Sequence, residues 1–131
     1  MIYEMTIQIR VTDISEGQKW YETLLQRKPD FIPHEGFAEW ELIPGCWLQV
    51  AEGIPAKDSG PLRLGVLDIV SERERIKGEL KVPHFDIFSR EEVPVKWATF
   101  TDPWGNRLGL FEYINEIEKN EQIQNISGEL D

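Results

Sequence analysis

Residues 9–15 read IRVTDIS and residues 64–70 read LGVLDIV, two phrases that each set an Asp-Ile pair at the corner between a strand and a helix. The first belongs to MTIQIRV (5–11), where apolar and polar residues alternate over the length of a strand. Asp13 or Ser15 then offers a side-chain oxygen to cap a helix, and Trp20, Tyr21, Leu24 and Leu25 give that helix an apolar stripe to about residue 26. Lys28-Pro29 ends it. Three strand-like runs follow at 30–34, 37–43 and 46–52, parted by the turn signals Glu35-Gly36 and Pro44-Gly45. The stretch GIPAKDSGP (53–61) breaks the pattern and reads as a linker. After it the same order returns: strand LRLGVLD (62–68), helix SERERIKGEL (71–80), and strands near 84–89, 95–101 and 107–113. The chain is therefore an internal repeat of strand, helix and three strands.

The repeat closes on FTDPWGNRLGLFE (100–112). Pro103 after Asp102 pre-sets a turn, and Gly105 with Asn106 supplies residue types that tolerate positive φ. Arg107 to Glu112 then alternates as a half-buried strand. Beyond it, NEIEKNEQIQNISGELD (115–131) is polar and acidic, and is expected to form a tail.

Composition narrows the function classes. At 131 residues the chain is long enough for one domain with a real core. Its net charge of −10 argues against nucleic acid, because phosphate-backbone binding needs a basic patch. Cys46 is the single cysteine, which forbids an internal disulfide and suits a reducing compartment. No apolar run reaches membrane-spanning length, so no membrane partner is expected, and MIYEMTIQIR lacks the order of a signal peptide. A cytoplasmic protein is the expectation.

The βαβββ repeat, the helix phrase DISEGQKWYETLL (13–25) and the closing DPWGNRLGLFE (102–112) together resemble the vicinal oxygen chelate superfamily. That superfamily includes glyoxalase I, extradiol dioxygenases, fosfomycin-resistance enzymes and bleomycin-binding proteins. The resemblance covers about residues 5 to 113. It implies an α+β fold in which two βαβββ modules form an open cup-shaped mixed sheet, with the helices on the outside. Residues 1–114 would be a single domain, with module 1 at about 5–52 and module 2 at about 61–113. It also implies a homodimer. Metal-dependent members take two ligands from each module, one on its first strand and one on its last. Carried onto this chain, those places fall on Thr6 and Pro61, seven residues before Asp13 and Asp68, and on Gln49 and Gly109. Thr6, Pro61 and Gly109 are not ordinary metal ligands, so the usual four-ligand site is expected to be absent, with no cofactor.

Strand alternation supplies a different site. If Ile7, Ile9 and Val11 pack under the first helix, then Thr6, Gln8 and Arg10 face the cup, as do Trp47 and Gln49, Arg63 and Gly65, and Gly109 and Phe111. Gln8, Trp47, Gln49, Arg63 and Phe111 are the candidate ligand-binding residues. Arg63 would receive a carboxylate or phosphate, or else pair internally with Glu39 or Glu41. Glu112 has the opposite parity and is expected to point to the helix side. His34 and His84, the latter with Asp86 on the same face, lack metal-ligand spacing and read as structural, as does Cys46 beside Trp47. Of the five tryptophans, Trp20 belongs to the helix stripe; Trp40, Trp47 and Trp97 lie mid-strand, where either face is open, and Trp104 sits in the closing turn.

Three functions stay open on these residues. One is a metal-free binding protein for a small anionic or aromatic molecule, of the glyoxalase/bleomycin-resistance type. Another is a metal-dependent lyase, isomerase or dioxygenase with unusual ligands, for which His34 or His84 would be the candidates. The third is a structural dimer whose cup is filled by its own side chains.

Overall fold

The computed structural model describes residues 1–115 together with 120, 121 and 124. It is an α+β protein of two helices and two open mixed sheets among the described residues. The chain divides into two compact units. The first holds Met1–Lys57 with Trp104–Asn106; the second runs from Asp58 to Pro103 and onward from Arg107. No helix among the described residues is long and apolar enough to cross a membrane.

In the first unit, strand β1 (Met5–Val11) leads into helix α1 (Ile14–Leu25), followed by β2 (Phe37–Ile43) and β3 (Cys46–Glu52). The sheet order is β1-β3-β2, with β1 parallel and β2 antiparallel to β3. Asp13 caps α1 by accepting the Glu16 N–H at 3.1 Å, and Gln26, at φ 58°, ends it. Alternation then decides the faces. Ala38 and Trp40 of β2, Leu48 and Val50 of β3, and Ile9 and Val11 of β1 are buried together with Trp20, Tyr21 and Leu24 of α1. The Trp40 indole donates to the Arg27 carbonyl at 3.0 Å, so its one polar atom is satisfied inside the core.

The expected strand at 30–34 shrinks to one bridge, Phe31 to Glu39. Pro29 and Pro33 flank that residue and lack the N–H groups a longer ladder would need.

The second unit repeats the order with β4 (Leu62–Gly65), α2 (Ile69–Leu80), β5 (Ile87–Phe88), β6 (Val95–Thr101) and β7 (Arg107–Tyr113), in sheet order β4-β7-β6-β5. Helix α2 starts at Ile69, two residues before the expected 71. Asp68 caps it by accepting the Ser71 N–H at 3.1 Å, so the helix begins directly after the aspartate. Its inner face, Ile69 and Ile76, is fully buried, as are Ala98, Leu108 and Leu110 of the sheet to within about 1% exposure. Phe85 stacks on Phe100 at 5.0 Å. Glu112 turns to the helix side, as its parity requires: its Oε1 accepts the Ile69 N–H at 2.7 Å, satisfying another free amide of the first helical turn.

Candidate functional site

Two glycines shape the open face of the second sheet. Gly109 of β7 lies opposite Arg63 of β4, and a Cβ built on it would come within 2.7 Å of the Arg63 Cγ and 2.8 Å of the Ala98 carbonyl oxygen. Gly65 lies opposite Phe111, and a Cβ there would meet the Phe111 ring at 2.9 Å. Each glycine thus leaves room for the large side chain of the neighbouring strand. The Arg63 stem lies across Gly109, and the Phe111 ring lies across Gly65.

Between them opens a concavity of about 330 Å³, lined by Arg63, Phe111, Trp97, Val95, Val93 and Arg90. Trp97 comes to this wall because it pairs with Phe111 across β6 and β7, and Phe88 tilts against it at 6.1 Å. Arg63 is exposed and makes no hydrogen bond or ion pair among the described residues. The two carboxylates considered as internal partners are engaged elsewhere. Glu39 accepts from Gln49, and Glu41 accepts the Gly45 N–H at 3.2 Å. A guanidinium without a partner among the described residues, beside apolar and aromatic walls, has the chemistry to accept an oxyanion.

The first unit carries a separate polar row. Arg10 donates to Gln8 at 3.0 Å, Gln8 to Gln49 at 2.5 Å, and Gln49 to Glu39 at 2.6 Å, a one-way ladder from guanidinium to carboxylate across β1, β3 and β2. The register Gln8↔Gln49↔Glu39 creates it. Trp47, on the same side of β3, has a buried indole N–H without a hydrogen-bond partner among the described residues. The structure thus brings Gln8 and Gln49 into contact within the first unit, and Arg63 and Phe111 to one concavity in the second. Arg90 and Trp97 were not among the expected site residues. Trp97 could have been found from its cross-strand pairing with Phe111; Arg90 sits in the β5–β6 connection, where no periodicity marks a side chain's direction.

No family model matches the sequence. No curated protein matches it. Solved structures do match. A glyoxalase/bleomycin resistance protein from Catenulispora acidiphila is 26% identical, with 83% of this chain and 96% of that one covered at a TM-score of 0.66. A glyoxalase-related enzyme from Clostridium phytofermentans is 18% identical over 87% of this chain and 97% of its own, at 0.67. The fosfomycin resistance protein FosX from Listeria monocytogenes is 16% identical over 88% and 94%, at 0.59. The chain has the vicinal oxygen chelate fold.

Within that fold the four places carried over for metal ligands hold Thr6, Gln49, Pro61 and Gly109. The donor set does not fit a metal. Threonine hydroxyl and proline are poor or impossible ligands, Gln49 has both ends of its amide in the ladder, and the space a carboxylate at 109 would need is taken by the Arg63 stem and the Ala98 carbonyl. The histidines stand apart from these places in the sequence. His34 is exposed, with Nδ1 at 3.0 Å from the Glu35 carbonyl and its ring against Phe37. His84 is exposed between Lys77, at 2.8 Å, and Asp86, at 3.4 Å. Among the described residues no three His, Cys, Asp or Glu side chains group as metal ligands.

Proposed function

We propose that this chain of vicinal oxygen chelate fold binds a small anionic or aromatic molecule without a metal ion. Arg63 and Phe111 are the proposed contacts within the second unit, and Gln8, Trp47 and Gln49 form a separate candidate row within the first. The observation that carries the reading is the Arg63 stem lying over Gly109. Where a metal-dependent relative would place a carboxylate to hold a cation, this chain holds a fixed positive charge, and that charge can accept ligand oxygens directly. Glyoxalase/bleomycin resistance proteins of the same fold support a small-molecule ligand. We also propose a homodimer, supported by the exposed apolar run Met1, Ile2, Tyr3 and Met5, and a cytoplasmic location, supported by the lone Cys46.

The test is a thermal-shift panel of small carboxylates, phosphates and planar aromatics, with and without chelator, on the parent and on Arg63→Ala. The reading expects at least one anion to raise the parent's melting temperature equally in chelator and not to do so in Arg63→Ala. Stabilisation that requires added metal would favour the enzyme reading, and a silent panel would favour the structural dimer. Light scattering showing a monomer at micromolar concentration would remove the dimer.

A further inference from the structure

We infer that the ligand's acid group is a doubly charged oxyanion, such as a phosphate monoester on a compact aromatic or planar group, shared between Arg63 and Arg90. This rests on the binding function proposed above and adds the ligand's charge and a second contact residue. Both arginines line the same concavity, from opposite ends of the second sheet's order: Arg63 on β4, and Arg90 in the connection that leads out of β5. In a chain of net charge −10, two guanidinium groups line one small apolar hollow, and only Arg90 has a carboxylate partner among the described residues. Trp97 and Phe111, paired across β6 and β7, give the remaining wall two ring faces for a flat group.

Among the described residues Arg90 makes a single ion pair, Nε to the Glu92 carboxylate at 3.3 Å, and both side chains are 68% exposed. Such an exposed pair contributes little, so an incoming oxyanion can replace Glu92 with small loss. A carboxylate ligand satisfies one guanidinium bidentately and leaves Arg90 with Glu92. A phosphate monoester, with close to two negative charges and three terminal oxygens at neutral pH, can hold both arginines. The volume of about 330 Å³ lies at the small end for such sites and suits a single ring with its acid group.

Calorimetric titration of the full-length chain with phenyl phosphate and with benzoate, in chelator, tests this. The parent is expected to bind phenyl phosphate roughly tenfold more tightly than benzoate, the effect of one further charge-assisted contact. Arg90→Ala should abolish that preference by weakening phenyl phosphate about tenfold more than benzoate; Glu92→Gln should strengthen phenyl phosphate binding. Arg90→Ala retaining the full preference, with Arg63→Ala still weakening both ligands, would overturn the shared-oxyanion inference alone. Affinities indifferent to Arg63→Ala, or no binding of either compound by the parent, would overturn the underlying binding site as well.

Discussion

Gly109→Ala is a small perturbation at the point where the fold and the proposed site meet. The added methyl would lie 2.7 Å from the Arg63 Cγ and 2.8 Å from the Ala98 carbonyl oxygen, both well inside van der Waals contact. The arginine stem can swing aside, but the carbonyl belongs to the β6–β7 ladder and cannot move without disturbing it. Overpacking of this kind costs about 1–3 kcal/mol. Against it stands the gain of about 0.5–1 kcal/mol from replacing glycine in a strand. The net expectation is a loss of about 0–2.5 kcal/mol, centred at about 1 kcal/mol, which at that centre is a fall in Tm of roughly 3–5 °C for a domain of this size. Urea unfolding of the parent, Gly109→Ala, Arg63→Ala and the double variant closes a cycle. Because Arg63 supplies one of the two clashes, the double variant should be more stable than the sum of the single effects predicts, by about 0.5–1 kcal/mol. A Gly109→Ala protein more stable than the parent would refute the packing of Arg63 on Gly109, and with it the physical reason that no carboxylate can stand there.

Further outcomes follow from other contacts. Glu112→Ala removes the acceptor for the Ile69 N–H and should cost about 1–2 kcal/mol in urea unfolding, whereas Glu112→Gln, which keeps an oxygen there, should cost less; equal losses would show that the hydrogen bond contributes nothing. Gly17→Ala would ordinarily stabilise a helix by about 1 kcal/mol, but here its methyl would sit 2.6 Å from Val11 Cγ2, so the melting temperature should fall instead of rise. Trp40→Phe should cost about 1–3 kcal/mol by leaving the Arg27 carbonyl without its indole donor.

Much of the frame could be read from local chemistry. The Asp-Ile corners became the caps of both helices, since an aspartate accepting an amide two or three residues on is a purely local arrangement. Strand parity put Gln8 and Gln49 on one face and sent Glu112 toward α2, because period-two alternation needs no knowledge of distant residues, whereas the register that joins the two glutamines does. The helix α2 start moved to Ile69 beside its Asp68 cap and the strand expected at 62–68 ended at Gly65, while the two strands that shortened most lie next to prolines. The run at 30–34 fell to a bridge, and the strand near 84–89 shortened to Ile87–Phe88 after Pro83 and before Pro94. The tail at 115–131 lies almost wholly outside the described residues. What alternation could not show was competition for space. That Gly109 is empty so that Arg63 can cross it, and that Gly65 is empty for Phe111, depends on distances between strands about 45 residues apart in sequence. Arg90 was equally hidden, because a loop arginine has no face until the chain around it is folded.

The central claim is that an arginine occupies the closing-strand place of a metal ligand and makes metal unnecessary. The most direct measurement is elemental analysis of the purified full-length chain after incubation with excess zinc, nickel, manganese or iron(II) and removal of unbound ions by gel filtration. The donor set Thr6, Gln49, Pro61 and Gly109 predicts a substoichiometric content of every metal, unchanged in His34→Ala and His84→Ala. A full equivalent of one metal per chain, lost when His34 or His84 is replaced, would contradict it.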